Sequence, residues 1–103
     1  MSGLDTYPVL DPQVVGRVAD DVMVILLPER GEVKVLNEVG GRIFQMVDGF
    51  TPVKEIAVQI AAEFQVSIEQ AEADTLSFLQ ELQACHALTF NVAGELSSNG
   101  GQA

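Results

Sequence analysis

The apolar residues of this chain change period once, at Asn37. Up to Leu36 they alternate or run together, and beyond Asn37 they return at three- and four-residue steps. Period two puts neighbouring side chains on opposite faces of a strand, whereas a period near 3.6 draws a stripe down one side of a helix. Val14, Val15 and Val18 around Arg17, the run Val22 to Leu27, and Glu32-Val33-Lys34-Val35-Leu36 therefore read as three strands. Asp20-Asp21 turns the first into the second. Pro28-Glu29-Arg30-Gly31 joins the second to the third, with Pro presetting φ and Gly supplying a permissive one. The result is an antiparallel meander. Its middle strand is apolar at six consecutive positions, which calls for cover on both faces. Helices supply one layer; the N-terminal arm or a second copy of the chain, a homodimer, is expected to supply the other.

Three helices follow. Asn37 is a good N-cap, with Val39, Ile43, Met46 and Val47 on one face and Gly49 as the stop. Gly40-Gly41 in its first turns costs up to about 1 kcal/mol each relative to Ala, so a close backbone approach is expected there. The second helix starts with Thr51 as cap and Pro52 in the first helical position, and carries the stripe Val53, Ile56, Ala57, Ile60, Ala61 and Phe64. After Gln65-Val66, Ser67 opens the third. Gln70 stands at capping-box spacing, and Ile68, Ala71, Thr75, Phe78 and Leu82 form the core seam flanked by Leu76 and Leu79. The fold class is α+β and winged-helix-like, a three-stranded antiparallel sheet followed by three helices, the last two as a helix-turn-helix.

The 103 residues make one domain over 13–90, between an extended arm over 1–12, broken by Pro8 and Pro12, and a Gly- and Ser-rich flexible tail over 91–103. Met1 to Leu10 lacks a basic n-region and reads as no signal peptide. No apolar run approaches the roughly 20 residues that span a bilayer. A single cysteine excludes an internal disulfide and fits a reducing compartment, so the expected location is the cytoplasm.

Fifteen acids against five Lys and Arg give a formal charge of −10, and no Lys or Arg follows Lys54. Nucleic-acid binding rests on cations that replace phosphate counterions, and a recognition helix needs basic or amide side chains at its start. Here the third helix opens Ile68-Glu69-Gln70-Ala71-Glu72-Ala73-Asp74. A winged-helix DNA-binding regulator, the alternative that the helix-turn-helix suggests, is disfavoured on these charges. Catalysis finds no constellation either. Cys85 and His86, the only residues of their kinds, are adjacent and point about 100° apart on a helix, away from any shared nucleophilic or metal site. Gly40-Gly41 lacks the spacing of a nucleotide-binding loop, and no Asp-Ser-Leu offers the attachment serine of an acyl carrier. No enzyme activity, cofactor or metal is expected.

The third strand closes the meander and leaves one row of backbone donors and acceptors unpaired. Such an edge accepts an extended peptide, main-chain bonds giving affinity and flanking pockets giving specificity. Glu32 and Lys34 equally serve to blunt the edge against aggregation. If the third helix lies alongside, Thr75, Leu76 and Leu79 would meet an apolar side chain, and Glu72 and Gln83 polar groups.

Leu26-Leu27-Pro28-Glu29-Arg30-Gly31, Val35-Leu36-Asn37-Glu38-Val39-Gly40, Asp48-Gly49, Val53-Lys54-Glu55-Ile56, and Asp74 with Phe78-Leu79 and Leu82 resemble, in this order, the PqqD family. This family comprises pyrroloquinoline quinone (PQQ) biosynthesis protein D and the wider set of recognition elements for ribosomally synthesised, post-translationally modified peptides (RiPPs). The resemblance covers roughly residues 13 to 88. It implies a non-catalytic winged-helix-like adaptor that pairs the leader of a precursor peptide with its third strand, packs it against its third helix, and presents it to a modifying enzyme, often a radical S-adenosylmethionine protein. On this chain the strand is Glu32, Val33, Lys34, Val35 and Leu36, and the helix wall Glu72, Thr75, Leu76, Leu79 and Gln83. Family members commonly have Gly where His86 stands, a position suited to left-handed backbone, which His tolerates better than most.

Overall fold

The computed structural model describes residues 3–27 and 31–92 of the chain. A 3-10 turn, Gly3–Asp5, leads into β1 (Tyr7–Leu10), β2 (Val15–Ala19), β3 (Val22–Leu27), β4 (Glu32–Leu36), α1 (Glu38–Met46), α2 (Val53–Phe64), α3 (Ile68–Ala84) and β5 (Leu88–Asn91). The expected meander is β2-β3-β4, with Val15 opposite Leu26, Arg17 opposite Val24, Ile25 opposite Lys34 and Leu26 opposite Val33. Asp20 and Asp21 both have positive φ, 52° and 65°. That is the signature of a two-residue type I′ turn, whose twist matches the strands it joins. Gly31 has φ 65° at the far side of the next connection, whose Pro28, Glu29 and Arg30 lie outside the described residues.

One face of this sheet closes on the helices. Ile25, Leu27 and Leu36 are buried there against Ile43 of α1 and Val47 at its C-cap, Val53, Ile56, Ala57 and Ile60 of α2, and Ala71, Leu79 and Leu82 of α3. Each fully buried Ile or Leu contributes about 1.5–3 kcal/mol, so these few positions carry most of the burial energy. The glycines of α1 bring it close to its neighbours, as expected. A Cβ on Gly41 would stand 3.1 Å from the Cβ of Met23 in β3, and one on Gly40 would stand 3.3 Å from the Phe78 ring.

The second cover does not come from the N-terminal arm. Tyr7–Leu10 instead pairs antiparallel with β5, from Tyr7 opposite Asn91 to Leu10 opposite Leu88, making a separate two-stranded sheet. The arm also caps α2: the Val53 N–H donates to the Thr6 carbonyl at 2.9 Å, and Lys54 Nζ lies 3.1 Å from Asp5 Oδ1. Leu88-Thr89-Phe90-Asn91 is too short to show a period, so β5 has no signature in the sequence, and its last residue falls in the segment expected as tail. The rest of that tail, 93–103, lies outside the described residues.

Two caps differ from expectation. Pro52, not Thr51, is the N-cap of α2, because Asp48 claims Thr51: its Oδ1 accepts from the Phe50 and Thr51 N–H groups at 2.8 and 2.9 Å, and its Oδ2 from Thr51 Oγ1 at 3.1 Å. These bonds, the Phe50 N–H first, hold the Asp48 carboxyl below its ordinary pKa. Ser67 does cap α3, accepting from the Gln70 N–H at 3.1 Å, but the Gln70 side chain turns forward to Asp74 Oδ1 at 2.9 Å instead of back to the cap. At the other end of α3, His86 has φ 62°, its N–H donates to the Gln83 carbonyl, and the Ala87 N–H donates to the Leu82 carbonyl. This is a Schellman close with His in the place usually held by Gly.

Candidate functional site

The type I′ turn fixes which way every backbone group in the sheet points. In a two-residue hairpin the flanking residues, Ala19 and Val22, exchange both hydrogen bonds. The N–H and C=O of a strand residue leave on one side, and the side alternates along the strand. Val22, Val24 and Leu26 thus bond to β2, and Met23, Ile25 and Leu27 bond to β4 through Leu36, Lys34 and Glu32. Among the described residues, what remains unpaired on β4 is the backbone of Val33 and Val35, which points out of the sheet.

The side chains sort by the same parity. Glu32, Lys34 and Leu36 share the helix-facing side with Ile25, and are exposed, half-buried and buried respectively. Val33 and Val35 lie on the outer face, 59% and 70% exposed.

Where β4 runs into α1, a groove of about 300 Å³ opens between α1 and α3. Val39, Gly40, Ile43 and Phe78 give it an apolar lining, and Asn37, Asp74, Ser77 and Glu81 a polar one. Asn37 is fixed there by its capping bond to the Gly40 N–H at 2.7 Å. The absence of a side chain on Gly40 lets Phe78 lie against the first turn of α1.

The five α3 residues expected on the helix wall do not line this groove. Thr75 and Leu79 have no exposed surface and belong to the core. Leu76 is half-buried beside Gly3 of the N-terminal turn, where an added Cβ would come within 3.1 Å of Leu76 Cδ2. Glu72 is half-buried and Gln83 exposed, and neither lines the groove. The residues that do line it, Asp74, Ser77, Phe78 and Glu81, are spaced i, i+3, i+4, i+7, one face of a helix. That spacing was present in the sequence. It was masked because Phe78, an aromatic beside Leu79, was read as core. Thr75 Oγ1 is buried without a hydrogen-bond partner.

Among the described residues no group of three or more His, Cys, Asp or Glu is placed to hold a metal ion. No described helix is long and apolar enough to cross a membrane.

A family model described as coenzyme PQQ synthesis protein D (PqqD) matches residues 23–88, from the second residue of β3 to the first residue of β5. The chain belongs to the PqqD family. Among solved structures it is similar to TbiB1 in complex with the TbiA(beta) leader peptide, at 30% identity over 78% of this chain and 93% of that one, with a TM-score of 0.70. It is also similar to the PqqD truncation of Methylobacterium extorquens PqqCD, described as a functional, stand-alone RiPP recognition element, at 28% identity over 85% and 93% of the two chains and a TM-score of 0.71. Lasso peptide synthetase B1 complexed with a leader peptide shares the fold at 23% identity and a TM-score of 0.72, over 81% of this chain and 98% of that one. A comparison with curated proteins gave no match. Asn37, Val39, Gly40, Asp74 and Phe78, which belong to the segments through which the sequence resembles the PqqD family, all line the groove.

Proposed function

We propose that this PqqD-family chain is a peptide-binding adaptor, without catalysis of its own, which takes the leader of a ribosomally made precursor peptide as a fourth strand on β4 and presents the rest of that peptide to a modifying enzyme. The observation that carries the proposal is the outward-pointing backbone of Val33 and Val35 on a strand that runs, through Asn37, into a groove rimmed by Asp74, Ser77 and Glu81. Two similar structures hold leader peptides, which supports the reading. An added strand alternates its side chains: one set faces the helices and the α1–α3 groove, while those between them face outward. The regulator reading gains nothing from the geometry, because the exposed start of α3 carries Glu69 and Asp74 and no cation.

The modifying enzyme we propose as first partner is of the radical S-adenosylmethionine class implied by the family resemblance. The leader proposal is tested by titrating isotope-labelled protein with the synthetic leader of the precursor peptide encoded nearest its gene. Amide shifts at Val33, Val35 and the exposed face of α3 are expected; shifts confined to other elements would remove β4 as the binding edge.

A further inference from the structure

The outer face of the β2-β3-β4 sheet is apolar apart from Arg17, and none of the described elements covers it. Val15, Val22 and Leu26 are 42%, 37% and 40% exposed, and Val33 and Val35 more so. Register arranges these residues in rows across the strands. One row is Val15, Leu26, Val33; the next is Arg17, Val24, Val35. Both rows stop at the edge where backbone groups are unpaired, and they stop on the two residues whose N–H and C=O point outward.

A second copy of the chain is a poor occupant of this face. Three strands of five or six residues, at about 3.3 Å per residue and about 4.8 Å between strands, present roughly 250 Å². A standing interface takes about 800 Å² from each partner. Two copies would also bring together formal charges of −10 each. A single extended strand fits the same face without either difficulty, because it enters along the edge and adds one member to each row.

We propose that the outer face selects the peptide: the added strand carries two apolar residues, β-branched or aromatic, at positions i and i+2, which pair with Val33 and Val35 and complete the two rows. This rests on the adaptor reading and specifies its substrate class. It adds a determinant on the side of the strand opposite the groove, so the peptide is read from both faces. Directly opposed apolar side chains stabilise a strand pair, and the gain corresponds to roughly two- to five-fold in affinity per position over Ala.

The test is selection of random linear peptides displayed against the immobilised full chain, with amide mapping of the peptides recovered. Peptides that shift Val33 and Val35 are expected to share an apolar pair two residues apart, and Ala at either position should weaken binding two- to five-fold. The same selection against a Val33→Lys, Val35→Lys variant should recover Glu or Asp at those two positions. That exchange separates the outward pair from the inward residues that enter the groove, and both sites are exposed enough to accept Lys without unfolding. If peptides shift the Val33 and Val35 amides but show no paired preference and no exchange on the Lys variant, the row pairing is wrong while strand addition stands. If no peptide is recovered, or those recovered perturb other elements, strand addition itself is overturned.

Discussion

The sheet has two open edges, and they are not equivalent. On β4 the outward-pointing backbone belongs to Val33 and Val35; on β2, by the same alternation, it belongs to Gly16 and Val18. A strand added to β4 finds two β-branched side chains to pair with and a groove between α1 and α3 at the end of its track. A strand added to β2 meets a glycine, which offers nothing to pack against, on the side of the sheet where the Phe44 ring already fills the space. Openness of backbone is common to both edges. Side-chain parity, set by the two-residue turn at Asp20-Asp21, is what sets them apart and what the proposed binding at β4 draws on.

The difference can be attacked at either edge. The largest effect is expected from Gly16→Ala, whose Cβ would overlap the Phe44 ring. Overpacking of this kind costs about 1–3 kcal/mol, read as a fall in Tm, and a variant as stable as the parent would mean that the β2 edge is not sealed from within. Val35→Pro is expected to weaken leader binding at least ten-fold, about 1.4 kcal/mol, by removing an edge donor. Val18→Pro should leave it unchanged; equal losses at both positions by calorimetry would make the edges equivalent.

The walls of the β4 groove come next. Ser77→Arg, an exposed change on the groove-lining face of α3, should weaken leader binding about three- to ten-fold, about 0.7–1.4 kcal/mol, with stability unaltered. Thr75→Val should do the reverse. Removing an unpartnered buried hydroxyl is expected to raise stability by about 0.5–1 kcal/mol and to leave leader affinity intact; a loss of affinity would return Thr75 to the binding wall.

The smallest effect lies away from both edges. Asp48 is ionised more readily in the folded chain than in the unfolded one. Its contribution to stability is therefore complete above the ordinary aspartate pKa of about 4, and is lost as pH falls through the lower folded value. Asp48→Asn should cost under about 0.5 kcal/mol at neutral pH, since the group is exposed, and should flatten the acid limb of a stability profile.

Much of this was legible in the residues. The period change at Asn37 separates sheet from helices, Asp20-Asp21 marks the tight turn, and Gly40-Gly41 announces a close approach. The β4 strand was bounded correctly from its alternation. What stayed hidden depended on contacts between distant segments. Tyr7–Leu10 and Leu88–Asn91 are strands only because each finds the other across the length of the chain. On α3, Leu79 and Phe78 are neighbours of similar hydropathy, and spacing alone does not tell that Leu79 is fully buried while Phe78 lies against Gly40 of α1. Thr51 lost its cap to Asp48, a competition between two polar side chains that spacing alone does not rank.

The pairing of β1 with β5 also governs how such a module can be carried. Tyr7 stands opposite Asn91, so polypeptide arriving at one end and polypeptide leaving at the other emerge side by side. A unit with that geometry can be spliced into, or hung from, a larger chain with little strain at the joints. The clasp is held by its own ladder and by the Thr6–Val53 bond to α2, and neither draws on β4. Tethering the module is thereby kept mechanically apart from the edge at which loading is proposed.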